Sequence, residues 1–118
     1  MYAGYAVTVP LVVDDSPVVR AMLRRAFDAQ SVQCTYLESA KEALAHSAAH
    51  VSCALLDLEL GDGTGIEVAL HLRAEAPSLP IAFFSTDPTD EARALGPAFK
   101  KPDELESAVA WLVAASSR

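Results

Sequence analysis

Basic residues are scarce in this chain. Nine lysines and arginines stand against 16 aspartates and glutamates in 118 residues, a formal net charge of −7. A polyanion ligand needs a continuous basic face, and the two basic pairs, Arg24-Arg25 and Lys100-Lys101, do not make one. Direct nucleic-acid binding is therefore not expected. Long apolar runs are missing too: the longest, Ala108 to Ala115, holds eight residues, against the ~20 needed to cross a bilayer. No charged-then-apolar leader with a small-residue cleavage site is visible, so the expectation is a cytoplasmic protein with no membrane partner. Cysteine is limited to Cys34 and Cys53. Two residues in apolar runs are no disulfide scaffold and read as buried, reduced thiols. What the chain does have is a hydrophobic content of 52%, enough for one core at single-domain length. No repeat, low-complexity block or Ser/Gly linker divides it.

Residues 1–9 read as an N-terminal arm and residues 10–118 as the domain. Leu11-Val12-Val13 is an apolar run ending in Asp14-Asp15, which suits a strand buried on both faces. Pro10 lacks an N–H, so pairing should begin no earlier than about there. Ser16 can cap a helix with Pro17 at its first position. Val19, Met22, Leu23, Ala26 and Phe27 then recur at helical spacing. Residues 32–37 predict a second strand. Ser39 and Glu42 predict a capping box opening a helix through about residue 49. Val51 to Leu56 predicts a third strand ending at Asp57. A glycine-rich loop follows to Gly65, and Thr64 with Glu67 predicts a second capping box on a helix that Pro77 ends. Pro80 to Phe84 predicts a fourth strand ending at Ser85. Ala98 to Lys100 predicts a weak fifth strand, and a last helix follows Lys101-Pro102-Asp103, with Leu105, Val109, Leu112 and Val113 inward.

Strand and helix thus alternate five times, which implies an α/β fold with a parallel sheet covered by helices on both faces. Ligands of such sheets bind at the carboxyl ends of the strands. Asp14, Asp15, Asp57, Ser85 and Lys101 all fall there. Three carboxylates converge if the first and third strands are neighbours. Without a cation they would repel, and one would take up a proton. A hard divalent ion, Mg²⁺ (or Mn²⁺), resolves this with oxygen ligands and retained waters. A lysine and a hydroxyl on the other side complete a cradle for the three oxygens of a phosphoryl group, with an aspartate placed as nucleophile. Each residue also has an ordinary reading. Asp14-Asp15 before Ser16-Pro17 suits a helix start, Ser85 a turn, Lys101 a solvated charge. Glu59 and Asp62 read as exposed loop charges, His46, His50 and His71 as surface residues, and Trp111 as packing.

At these residues the chain resembles the receiver domains of two-component response regulators, CheY-like and of bacterial type. The matching pieces are Leu11-Val-Val-Asp-Asp-Ser-Pro17, Leu55-Leu-Asp-Leu-Glu-Leu-Gly-Asp-Gly-Thr-Gly65, Pro80-Ile-Ala-Phe-Phe-Ser85 and Lys101-Pro102. The resemblance implies a flavodoxin-like doubly wound (βα)5 fold with strand order 2-1-3-4-5. It implies Asp57 as phosphoacceptor from a histidine kinase or histidine phosphotransfer protein, with Mg²⁺ held by Asp14, Asp15, Asp57 and the backbone carbonyl of Glu59. Ser85 matches the hydroxyl that meets the phosphoryl group, Lys101 the phosphate-binding lysine, and Lys101-Pro102 a bond that is usually cis. Glu59 and Thr86 are the residues expected near the attacking water.

Two departures stand out. The family's aromatic switch position is Ala98 here, and Phe99 should face the opposite side of the strand. The 16 positions from Ser85 to Lys101 are about half a dozen fewer than usual, which removes roughly 9 Å of helix at 1.5 Å per residue, so the fourth helix should be stunted. The leading expectation is a stand-alone phosphorylatable receiver, a signalling switch that catalyses only its own phosphorylation and dephosphorylation and acts on an unidentified downstream protein. The alternative is a phosphorylation-independent interaction module on the same scaffold. A phosphohydrolase with an aspartyl nucleophile ranks last, because Glu59 stands where such enzymes want a second aspartate.

Overall fold

A computed structural model describes residues 7–117. In chain order the elements are β1 (Val9–Val13), α1 (Pro17–Ala29), β2 (Thr35–Leu37), α2 (Ala40–Leu44), a 3-10 turn at Ala48–His50, β3 (Val51–Leu56), α3 (Gly65–Glu75), β4 (Ile81–Ser85), α4 (Asp90–Leu95), β5 (Ala98–Lys100) and α5 (Leu105–Ser116). The five strands form one parallel sheet in the order β2-β1-β3-β4-β5. This is the doubly wound arrangement expected from the alternation. Residues 1–6 of the predicted arm lie outside the described residues. The strand takes Val9 and Pro10 in as well: Val9 pairs with Val51, and the register with β3 shifts before Leu11, where Pro10 has no N–H to give.

The period of two along the strands splits the core. Leu11, Val13, Ala54, Leu56, Ile81 and Phe83 pack with α2, α3 and α4 on one face. Val12, Cys53, Leu55, Ala82 and Phe84 pack with α1 and α5 on the other. Ala98 joins the first face and Phe99 the second, as strand geometry required. Burial pushes the half-buried Cys34 thiol up to about 11 and also raises Cys53, so both stay protonated.

Several local expectations need correction. The second strand is three residues, not six, because Val32 donates its N–H back to Phe27 and closes the end of α1. The second helix stops at Leu44. Ser47 caps a separate 3-10 turn, and Glu75 of α3 accepts from Ala48 N at 2.9 Å. Ser39 caps α2 through Glu42 N at 3.1 Å, but the Glu42 carboxylate takes the Glu38 N–H instead of completing the box. The Thr64–Glu67 box on α3 is complete. Met22 is 41% exposed rather than in the core. His71 is half-buried, its Nε2 3.1 Å from the His46 carbonyl, and is not a free surface group. Helix α4 is short, six residues, as the reduced spacing predicts, and starts after the Thr89 cap. Two contacts pin its far end. The Arg73 guanidinium of α3 donates to the Leu95 carbonyl, and a Cβ on Gly96 would stand 2.0 Å from the Ile81 carbonyl oxygen, so only glycine fits.

Candidate functional site

The ladder runs one residue past three strand ends. Asp14 N donates to Leu37 O at 3.1 Å, Asp57 N to Val13 O at 2.8 Å and Lys101 N to Ser85 O at 2.8 Å. The backbones of Asp14, Asp57 and Lys101 are therefore fixed by sheet hydrogen bonds, and their side chains emerge together at the carboxyl edge. Ser85, the last residue of β4, is buried beside them. All five strand-end residues picked out by the sequence reach this edge.

One carboxylate oxygen each from Asp14, Asp15 and Asp57 lies within 4.8 Å of the others. Asp14 and Asp57 are buried and Asp15 is exposed. Asp14 accepts from Ser16 N at 2.9 Å through one oxygen and binds Lys101 Nζ at 2.7 Å through the other. The same ammonium is 3.2 Å from Asp57 and 5.6 Å from the centre of the Phe84 ring. Burial pushes the Asp57 carboxyl up to about 6, and neighbouring Asp14 adds to the rise. Lys101 and the backbone N–H of Glu59 oppose it. Asp57 is thus mostly ionised at neutral pH. Three carboxylates against one ammonium then leave two negative charges at the exposed mouth of the trio, the balance a divalent cation fits.

Two loops wall the site. In the loop after β3, Gly65 N donates to Leu58 O at 2.9 Å, and a Cβ on Gly65 would lie 2.2 Å from the Asp57 carbonyl oxygen. Gly65 is thus needed for the helix to start this close to Asp57. Gly61 has φ of +77°, and a Cβ there would sit 3.7 Å from the Asp15 carboxylate. The Glu59 side chain is exposed. In the loop after β4, Asp87 N donates to the Ser85 hydroxyl at 3.3 Å, and Thr86 is exposed. A cavity of about 190 Å³ opens between the two loops, lined by Glu59, Thr64, Asp87 and Thr89 among others. A larger groove of about 410 Å³ between α1 and α5 contains none of the site residues. The Lys101-Pro102 peptide bond is cis, as expected. Ala98 pairs with Phe83 and is half-buried, with no aromatic ring at that position.

Two contributors escaped the sequence reading. Arg20, in the first turn of α1 and outside its apolar repeat, donates to the Asp14 carbonyl at 2.7 Å and pairs with Glu38 at 3.3 Å. Its (i, i+6) relation to Asp14 carries no sequence signal. Asp62, read as a loop charge, accepts from Ala40 N at 2.8 Å and Lys41 N at 3.0 Å. A lone acid between two glycines is the only hint the sequence offers of such a cap.

Comparison with known proteins identifies the family and the fold. The family described as response regulator receiver domain matches residues 11–97. No curated protein matches the chain. Among solved structures, the non-phosphorylated HemR receiver domain from Leptospira biflexa is similar with a TM-score of 0.81 at 21% identity, covering 94% of this chain and 95% of that one. A CheY-like receiver domain from Methylobacillus flagellatus is similar at 0.75 and 23%, covering 93% and 99%. The response regulator domain of Thermotoga maritima CheB is similar at 0.73 and 23%, covering 94% of each chain. At these identities the structures speak to the fold.

Proposed function

The chain belongs to the response regulator receiver domain family, the module of two-component systems typically phosphorylated on aspartate, and from that premise we propose that Asp57 is the phosphoacceptor. The donor is a phosphohistidine on a histidine kinase or phosphotransfer protein. An Asp57 oxygen forms the new O–P bond as the P–N bond to the donor imidazole breaks, and the imidazole nitrogen keeps the electron pair and takes a proton. The observation that carries this reading is the pairing of one partly buried ammonium with two buried aspartates, Lys101 to Asp14 at 2.7 Å and to Asp57 at 3.2 Å.

The residues divide the work by position. Asp14, Asp15, Asp57 and the Glu59 backbone carbonyl would hold Mg²⁺, or Mn²⁺ in its place. Bound there, such an ion neutralises phosphoryl oxygen charge. Lys101 is placed to share itself between Asp57 and a phosphoryl oxygen, and Ser85 to donate its hydroxyl to another. Glu59 and Thr86 border the path of the hydrolytic water. On this reading the protein is a switch that turns over only its own phosphoryl group and signals through protein contact with a downstream target. Ala98 favours a second reading, a phosphorylation-independent interaction module, because it has no ring to change rotamer when Ser85 moves. Incubation with acetyl or carbamoyl phosphate separates the two. One phosphoryl group should add to the intact mass with Mg²⁺, and none with EDTA or in Asp57→Asn. Labelling that persists in either control would sink the assignment.

A further inference from the structure

The loop between Asp57 and Gly65 must do two opposed things. It holds three glycines, at 61, 63 and 65, and glycines lose the most conformational freedom when ordered. Yet it has to keep the Glu59 backbone at a fixed place beside three carboxylates. Its internal bonds shape it: Leu60 N to Gly63 O at 3.1 Å, Asp62 N to Leu60 O at 2.8 Å, and a bridge between Glu59 and Thr64. These bonds make a compact turn, but they do not fix where the turn sits relative to the sheet. Leu58 and Leu60 anchor its stem in the core. Its tip is anchored elsewhere.

We infer that Asp62 is a positioning residue for the metal site: it ties the tip of the Glu59 loop to the start of α2, and so holds the Gly61 backbone over Asp15 and steadies the Glu59 carbonyl two residues before it. Both Asp62 carboxylate oxygens are used, one on Ala40 N at 2.8 Å and one on Lys41 N at 3.0 Å. These are two of the N–H groups that a helix start leaves without partners, and Ser39 already serves the third position through Glu42 N. The backbone amides of Lys41 and Ala40 hold the Asp62 carboxyl below the usual carboxylate range. The contact is close as well as polar: a Cβ on Gly63 would stand 2.8 Å from the Ala40 Cβ. Next to Asp62, Gly61 takes a left-handed φ of +77° over the Asp15 carboxylate. Releasing the tip therefore frees the backbone at Gly61 directly and reaches Glu59 through Leu60.

The tie works in both directions. If the α2 contact favours the loop position that completes the cation site, cation binding must favour the α2 contact by the same factor. Helix α2 has only five residues, too few to persist without such support. Cation binding should then be felt at the Ala40 and Lys41 amides, on an element that carries none of the proposed ligands.

This inference rests on the metal assignment above, and the test separates the two. Mg²⁺ alone is titrated into wild type, Asp62→Ala and Asp62→Asn, following the rise in melting temperature and the hydrogen exchange of residues 40 and 41. In wild type, Mg²⁺ should raise the melting temperature and slow exchange at both amides. In Asp62→Ala the Mg²⁺ midpoint should move up about fivefold, the effect expected from losing a helix-capping carboxylate coupled to the site. Protection of residues 40 and 41 should no longer respond to Mg²⁺. Asp62→Asn, which keeps one acceptor oxygen, should fall between. An unchanged midpoint in a folded Asp62→Ala overturns the inference and leaves the metal assignment standing. A wild type that ignores Mg²⁺ overturns the metal assignment itself. Should Asp62→Ala fail to fold, Asp62→Asn decides through the same midpoint.

Discussion

Lys101 is held more closely by Asp14 than by Asp57, at 2.7 Å against 3.2 Å. The resting ammonium is thus anchored on the carboxylate that is not the proposed acceptor, with Asp57 at the looser end of its reach. A phosphoryl group on Asp57 can engage Lys101 without first breaking a tight Lys101–Asp57 pair. Removing the ammonium leaves two buried carboxylates facing each other. Lys101→Ala should lose on the order of 3 kcal/mol of stability at pH 7 in EDTA. The loss should shrink at pH 5, where Asp57 takes up a proton, and Mg²⁺ should recover part of it. Urea unfolding at the two pH values measures this. An equal loss at both would contradict the electrostatic account.

Asp57 itself should impose a pH signature. Its carboxyl is raised to about 6 in the folded protein from an ordinary value of 3.8. The folded state therefore binds the proton more tightly than the unfolded state. This favours folding below about pH 3.8, and the benefit is lost as the pH rises through about 6. Compared with wild type in EDTA, Asp57→Asn should gain relative stability across that window and keep the gain above it, up to about 3 kcal/mol. The difference between the two unfolding curves against pH isolates this group. A flat difference would show that Asp57 is not perturbed.

The positions of these groups were legible because strand burial and helix capping leave strong local marks. Apolar runs that stop at Asp14, Asp57 and Ser85 located three strand ends, and the parallel topology then placed them on one edge. What was not legible depends on partners distant in the chain. Helix α2 looked longer because nothing between Leu44 and Ser47 resembles a stop. It stops at Leu44, and Glu75 of α3 takes the Ala48 N–H at the start of the separate 3-10 turn. Met22 fits the α1 repeat, yet the helix rotates so that Leu23 and Phe27 carry the burial. Asp62 and Arg20 act on backbone atoms of residues 22 and six positions away, a relation that side-chain periodicity does not encode.

Two glycines allow a paired test of what close packing does for the site. A Cβ on Gly65 would meet the Asp57 carbonyl oxygen at 2.2 Å, and one on Gly96 the Ile81 carbonyl oxygen at 2.0 Å. Both alanine substitutions should cost about 1–3 kcal/mol through forced backbone shifts. Only Gly65→Ala moves the peptide of Asp57, the proposed acceptor, so only it should slow labelling of Asp57 by acetyl phosphate when both variants are assayed well below their melting temperatures. Equal rates would mean that the backbone of Asp57 tolerates displacement.

The segment after β4 should respond to activation along a gradient. Ser85 accepts from Asp87 N at 3.3 Å in the resting protein, so a hydroxyl that turns to a phosphoryl group alters that contact first. The far end of α4 is tied to α3 through Arg73 and packed on β4 through Gly96. Hydrogen exchange with and without beryllofluoride should change most at residues 86–90, fade toward Leu95, and change little in β5, where Ala98 offers no ring to move. Change centred on α1, with residues 86–96 unaltered, would assign the output to another face.

The outermost strands have a consequence for how this molecule meets others. Strands β2 and β5 are three residues each, about 10 Å of backbone at 3.3 Å per residue. On β5, the Lys100 N–H is already taken by the Glu104 carboxylate at 2.8 Å. An edge this short, with a donor occupied by its own side chain, is a poor template for a foreign strand. The protein is thereby shielded from the sheet-extending polymerisation that open parallel sheets invite, even though its interior strands are almost wholly apolar. Any partner recognised on this side must be read by side chains and helix surfaces, a mode that can be released when the contact surface changes shape.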